Sequence, residues 1–263
     1  VSEIEEIVEQ FVDVAARIKK AGFQGIELNA GSHHLLNSFL SRAWNKRQDA
    51  YGVGSPESRA KIIVDIIKEI KRLNGQDFVI ITLFNGAEPG LENGLTPEEG
   101  QGIAKVLQAA GADAIHVRAE FYNRPKDFNR RNATQLPDIA FYPETPFPLG
   151  GVVDDSRHGK GGWVPLAAAV KKAVSIPVIA IGRLDPELGE DVLRSGKADF
   201  ISFNRRLMAD PELPNKLLEG RLDDICPCTG CTTCFDNNEH GNPPLCQVNA
   251  ALGREKEYEI IPA

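Results

Sequence analysis

Apolar residues in the first twenty positions recur at helical spacing. Ile4, Ile7, Val8, Phe11, Val14, Ala15 and Ile18 fall on one face behind Ser2, a residue suited to an N-cap, and predict a helix over 3–20. Beyond Gly22 the period shortens, and Gly25-Ile-Glu-Leu28 reads as a buried strand. The alternation then repeats: helix 57–73 before strand 77–83, 97–109 before 113–117, 163–174 before 176–181, and 187–195 before 199–203. Three joints echo one another, at Gly22, Gly111 and Gly196, each a helix end, a glycine and an apolar strand.

Short, wholly apolar strands that alternate with amphipathic helices imply parallel strands buried on both faces. Such an α/β pattern closes either as a doubly wound open sheet or as an eightfold barrel. Five strands alone do not close a barrel. The long insertion 119–162 after a strand, and a start inside a helix without Met, nevertheless favour a (β/α)8 TIM barrel. This chain then supplies about the last five βα units, and roughly three N-terminal units are expected outside it.

The 263 residues are 42% hydrophobic, enough to bury a real core, and one large domain with a small appendage is expected. A net charge of −7 without any basic run argues against a nucleic-acid partner. No apolar stretch approaches the ~20 residues of a membrane-spanning helix, and no signal peptide precedes the first helix, so a cytoplasmic protein is expected.

All five cysteines lie between 226 and 246, as Cys226-Pro-Cys228-Thr-Gly-Cys231-Thr-Thr-Cys234 and then Cys246. Two-residue gaps let successive thiolates converge on one centre while a distant fourth closes it. By count, four thiolates suit a [4Fe–4S] cluster or zinc, and disulfides rank third. Cys226 reads as a bystander.

The stretch 209–225, the cysteines that follow it, and Gly241-Asn-Pro-Pro-Leu-Cys-Gln-Val-Asn-Ala250 resemble the segment after the barrel in old yellow enzyme relatives of the trimethylamine dehydrogenase and 2,4-dienoyl-CoA reductase type. Residues 25–40, 45–52 and 57–59 are similar to that family's fourth strand and its following loop, 176–187 to the seventh strand, and 198–205 to the eighth. The resemblance implies a flavin-binding barrel over 1–220 and an iron–sulfur segment over 221–263, with Cys228, Cys231, Cys234 and Cys246 as [4Fe–4S] ligands. FAD and NAD(P)H would belong only to a domain outside this chain, since no Gly-x-Gly-x-x-Gly is present.

For flavin mononucleotide, the resemblance implies a phosphate site after strands seven and eight, at Gly182 and Arg183 and at Asn204 and Arg205, where backbone N–H groups and a helix N-terminus meet the anion. It also places at Thr82 an Arg that contacts the flavin. Alkene-reducing relatives carry carbonyl-binding and proton-donating residues at the positions of Asn29, Ser32 and His34. Asn29 can donate to an oxyanion, and His34, or His33 beside it, can deliver a proton. His116, Tyr122 and His158 rank second.

The implied activity is FMN- and [4Fe–4S]-dependent reduction of the C=C bond of an α,β-unsaturated carbonyl or enoyl substrate, fed by an electron-donor domain or subunit. An amine dehydrogenase, or a degenerate electron-transfer subunit, is the alternative. The expected assembly is a homo-oligomer or a split-chain complex, with no membrane or nucleic-acid partner.

Overall fold

The computed structural model describes residues 1–32, 34–89, 91–119, 160–231, 233–234 and 241–258. Two compact units divide the chain; the first carries the sheet through Ile201, and the second begins again at Ser202.

The first unit contains α1 (Ser2–Lys20), β1 (Gly25–Ala30), α2 (Leu35–Leu40), α3 (Pro56–Asn74), β2 (Val79–Ala87), α4 (Pro97–Ala110), β3 (Ala114–Ala119), α5 (Val164–Ala173), β4 (Val178–Ala180), α6 (Pro186–Arg194) and β5 (Phe200–Ile201). All five strands are parallel, in the order β1-β2-β3-β4-β5. Sequential parallel strands with a helix at every crossover are the repeating unit of a (β/α)8 barrel, five units of which this chain supplies.

Each predicted helix and strand is present, with ends displaced by a few residues. Val1 rather than Ser2 holds the N-cap position of α1, and that helix buries Val12 while Val14 is exposed. Strand β2 runs longer than expected because Asn85 and Ala87 keep pairing with β3 across a register shift. Capping boxes start α3, at Ser55 and Ser58, and α4, at Thr96 and Glu99. A side-chain cap of this kind contributes about 1 kcal/mol.

The sheet has two unlike faces. Leu28 and Ala30, Ile80 and Phe84, Ile115 and Val117, and Val178 and Ala180 are all buried beneath helices. Helix α3 supplies Ile62, Ile63, Ile66, Ile67 and Ile70, each fully buried, and each such side chain contributes about 1.5–3 kcal/mol relative to exposure. The opposite face carries Glu27 and Asn29, Ile81 and Leu83, and His116 and Arg118.

At the N-terminal end of the sheet one staple occurs twice. Asp113 Oδ2 accepts from Ile80 N–H and from Lys71 Nζ, each at 2.7 Å. Asp199 Oδ2 likewise accepts from Val178 N–H and Lys171 Nζ, each at 2.8 Å. Both aspartates immediately precede a strand, and each lysine comes from the helix that leads into the preceding strand. Among the described residues no helix is long and apolar enough to cross a membrane.

The second unit contains α7 (Arg205–Ala209), α8 (Leu213–Leu218) and a 3-10 turn (Leu222–Asp224), followed by the cysteine segment. Asp210 organises it: its carboxylate accepts from Lys216 Nζ and Cys226 N–H, each at 2.8 Å. Burial raises the Asp210 pKa, but the hydrogen bonds from Lys216 and from Cys226 N–H outweigh it, and the net shift is downward.

Candidate functional site

The C-terminal end of β1 carries the predicted catalytic residues. Asn29 is exposed on the open face, and its Oδ1 accepts from Gly31 N–H at 3.2 Å. The other end of the amide, Nδ2, is a donor. Ser32 follows in left-handed backbone, φ 49°, which costs a non-glycine residue about 1–2 kcal/mol. It is held on both sides: Ser32 N–H donates to Asn85 Oδ1 at 3.2 Å, and Ser32 Oγ accepts from Arg118 Nη1. His34 is exposed and occupies the N-cap position of α2. His33, Tyr122 and His158 lie outside the described residues, as does most of the 119–162 insertion.

Beneath this loop lies a buried polar network that the sequence reading did not find. Glu88 Oε1 accepts from Asn37 Nδ2 at 3.0 Å and Asn85 Nδ2 at 3.3 Å, while Glu88 Oε2 accepts from Leu95 N–H at 3.1 Å. Asn85 Nδ2 also donates to Asn37 Oδ1 at 3.1 Å. All three side chains are at most 2% exposed. A network satisfied in this way holds one geometry, because moving any member strands a buried partner. Asn37 and Asn85 had no motif to announce them; the only sequence signal was two amides in otherwise apolar surroundings.

Thr82 is corrected by the register. It pairs with Leu28 and Ile115, both buried, so its side chain lies on the helix-covered face and not on the face of Asn29. Its fully buried Oγ1 has no partner among the described residues. The open-face position in register with Asn29 and His116 is Leu83. Hence Thr82 is not where a flavin-contacting charge would stand, and Leu83 brings none.

His116 sits on that open face and is buried; its Nδ1 donates to Glu27 Oε2 at 2.8 Å. A carboxylate only accepts, so the contact fixes the Nδ1–H tautomer.

After β4, Gly182 has φ 128° and Arg183 φ 51°. A Cβ at Gly182 would meet the Trp163 ring at 3.4 Å as well as the strained backbone. The turn therefore admits a close approach that a bulkier residue would spoil. The N-terminus of α6 differs from expectation: Asp185 Oδ1 accepts from Leu188 N–H at 2.9 Å, and Asp185 Oδ2 pairs with Lys160 at 3.0 Å. A carboxylate already caps that helix, so an anion near Gly182 would meet the turn and Arg183 and not the helix dipole. Asn204 and Arg205 belong to the second unit, at the start of the five-residue α7.

The five cysteines carry no disulfide. Among the described residues, no three His, Cys, Asp or Glu side chains gather as a ready metal site. Cys231 is exposed, and a hydrogen bond from Thr233 Oγ1 at 3.4 Å pushes its thiol pKa down, against the opposing effect of burial. Cys246 lines a cavity of about 380 Å³ with Thr233, Gln247, Asn249 and Arg254. Cys226 is engaged otherwise: its thiol donates to Val248 O at 3.6 Å and its N–H to Asp210. By donor chemistry, the four remaining thiols suit an iron–sulfur cluster or another thiophilic centre.

Residues 1–135 match the family model described as NADH:flavin oxidoreductase / NADH oxidase. The chain is 38% identical over 264 residues to an NADH oxidase of Thermoanaerobacter brockii, covering 99% of this chain and 37% of that protein. It is 34% identical to a cinnamate reductase of Clostridium sporogenes, covering 98% of this chain and again 37% of the relative. Among solved structures it is similar to a 2-naphthoyl-CoA reductase bound to 2-naphthoyl-CoA, with TM-score 0.80, 30% identity, 97% of this chain and 35% of that one covered. The chain thus spans little more than a third of the length of these relatives.

Proposed function

This chain belongs to the NADH:flavin oxidoreductase / NADH oxidase family, and from that premise we propose that it is the substrate-binding part of an FMN-dependent enzyme that reduces the C=C bond of an α,β-unsaturated carbonyl. Bound FMN supplies the hydride. The chain's own residues bind and orient the alkene and deliver a proton. Asn29, its Oδ1 engaged by Gly31, presents Nδ2 to the substrate carbonyl oxygen and stabilises the negative charge that grows there. Ser32 lines the same place. His34, exposed at the head of α2, delivers the proton to the α-carbon. Gly182 and Arg183 receive the flavin phosphate, the turn by close approach and the guanidinium by charge; Asn204 and Arg205 are assigned the same role from their sequence positions.

We assign Cys228, Cys231, Cys234 and Cys246 to a [4Fe–4S] cluster, which supplies one-electron transfer, and residues 221–263 to that function. The two-residue gaps between Cys228, Cys231 and Cys234, with Cys246 as a distant fourth, support the assignment. The feature that supports the enzymatic reading is the gathering of Asn29, Ser32 and His34 at the C-terminal end of β1, with Asn29 Oδ1 engaged by Gly31 N–H.

The test uses the full protein, reduced anaerobically. Reoxidation of its flavin by an enone or enoate, with loss of the product's double bond, supports the reading. Bleaching of the oxidised flavin by a secondary or tertiary amine, with no response to alkenes, would replace it with an amine dehydrogenase. Iron, sulfide and zinc analysis of the same sample tests the cysteine assignment.

A further inference from the structure

Asn85 continues the open-face row of β2 after Ile81 and Leu83, yet it is 0% exposed. The loop after β1 closes on it. Pairing of β1 with β2 ends at Ala30 and Phe84, and from there the chain folds against the Asn85 amide. Ser32 N–H donates to Asn85 Oδ1 at 3.2 Å, and a Cβ at Gly31 would lie 3.2 Å from the same oxygen. Just beyond, the register slips: Asn85 pairs with Arg118, and Ala87 with Ala119. An irregularity of this kind re-aims a side chain near the end of a strand.

The other end of that amide is not free to turn. Glu88 Oε1 accepts from Asn85 Nδ2 at 3.3 Å and from Asn37 Nδ2 at 3.0 Å, while Asn37 Oδ1 accepts from Asn85 Nδ2 at 3.1 Å. Both neighbours of Nδ2 are therefore acceptors, and a carboxylate has no proton to donate. A reversed Asn85 amide would set its oxygen against two oxygens and its NH2 group against Ser32 N–H. Glu88 is itself held from the far side, where Oε2 accepts from Leu95 N–H at 3.1 Å.

We propose that Asn85 is a positioning residue: oriented by Glu88, it holds Ser32 in left-handed backbone and so sets Asn29 and His34 in the mutual placement that alkene reduction requires. The inference rests on the function proposed above, in which those two residues bind the carbonyl and deliver the proton. Ser32 has φ 49°, whereas the right-handed region lies at about −60°. Relaxation to it would turn a bond that lies between the two functional side chains. A misplacement of about 1 Å can cost roughly a hundredfold in rate. A group that touches no substrate can thus govern turnover.

The test exchanges the acid and the amide. Asn85→Asp keeps the acceptor for Ser32 N–H but sets a second carboxylate against Glu88. Combining it with Glu88→Gln allows every bond to be rebuilt once the Asn37 amide reverses. The new amide then donates to the new carboxylate and to Asn37 Oδ1, Asn37 Nδ2 donates to the carboxylate, and Ser32 N–H and Leu95 N–H keep their acceptors.

Reduction of cyclohexenone and binding of its saturated counterpart, cyclohexanone, are measured per bound flavin in the full flavin-loaded protein, binding being read from the flavin absorbance. Asn85→Asp is expected to lower kcat roughly tenfold to a hundredfold. Cyclohexanone binding should weaken only about threefold, because charge grows on the carbonyl oxygen in the transition state. The double variant is expected to recover kcat to within about threefold of wild type, since members of one hydrogen-bond network are not additive.

A purely structural network would instead lower the urea midpoint of Asn85→Asp and leave kcat per bound flavin unmoved. That outcome, or a double variant that regains its midpoint but not its kcat, overturns the proposal. If Asn85→Asp retains no flavin, Glu88→Gln alone decides, because it leaves Asn85 in place and changes only the group that orients it; an unchanged kcat there overturns the proposal as well. Wild-type protein that binds cyclohexanone and reduces no cyclohexenone overturns both this inference and the reading it rests on, whereas wild-type turnover with unmoved variants overturns this inference alone.

Discussion

The two ends of the sheet use polar residues in opposite ways. At the N-terminal end, Asp113 and Asp199 each tie a strand N–H to a lysine ammonium, so the polar groups satisfy one another. At the C-terminal end, Asn29 stands exposed and Ser32 and Arg183 hold left-handed backbone without being glycine. Strain of that kind persists only where surrounding contacts over-determine it, here through Asn85 and Arg118. The same five strands therefore differ along their length: one end closes its polar groups on one another, and the other carries the exposed amide and the left-handed loop residues.

The largest expected effect lies at the closed end. Asp113→Ala leaves Lys71, whose side chain is 7% exposed, without its carboxylate and Ile80 N–H without its acceptor. Removing one partner of a buried pair costs about 3–5 kcal/mol, and the 39% exposure of Asp113 moves the expectation to about 2–3 kcal/mol. Urea unfolding should show that loss with turnover per bound flavin unchanged; a midpoint that does not move would remove the contrast between the ends.

At the open end the effects should be reversed. His34→Ala and Asn29→Ala are each expected to slow alkene reduction at least tenfold, about 1.4 kcal/mol in the barrier. Both residues are exposed, so stability should stay within about 0.5 kcal/mol. A full rate in His34→Ala reassigns the proton donor.

Much of this division is legible in the sequence. Helix and strand periods gave five βα units because each element buries a single face, and Gly111 ends α4 in the left-handed conformation that its sequence position suggested. The positions of Asn29, Ser32 and His34 followed from resemblance to relatives. The Glu88–Asn37–Asn85 network was not legible, since its partners lie about fifty residues apart and only folding joins them. Thr82 failed for a different reason: a strand's period of two makes a one-residue error in alignment a change of face, and the pairing of Thr82 with Leu28 and Ile115 decides which face it takes. The cysteine spacing predicts a shared thiolate site without choosing its occupant, because donor count alone is shared by several centres.

A finer test of the open end separates strain from contact. Ser32→Ala loses the hydroxyl that Arg118 donates to and keeps the left-handed backbone; Ser32→Gly loses the hydroxyl and the strain together. The glycine variant is expected to be the more stable of the two by about 1 kcal/mol. Equal unfolding midpoints would mean that the loop relaxes once Arg118 is released, and that the backbone at Ser32 holds no strain of its own.

The smallest effect concerns acid. Burial raises the Asp199 pKa, but the hydrogen bond from Lys171 and then that from Val178 N–H outweigh it, and the net shift is below the ordinary 3.8. A carboxyl group with a depressed folded-state pKa stabilises the fold fully above its unfolded value and loses that contribution as pH falls through the folded one. Stability should therefore hold from neutral pH down to about 4 and then decline below 3.8, where the unfolded chain takes up the proton first. Asp199→Asn keeps an acceptor for Val178 N–H and discards only the charge facing Lys171, so its acid limb should be shallower than the wild type's while Asn29-dependent turnover is untouched. Parallel acid limbs in the two proteins would show that at this staple the backbone bond, and not the ion pair, closes the lower end of the sheet.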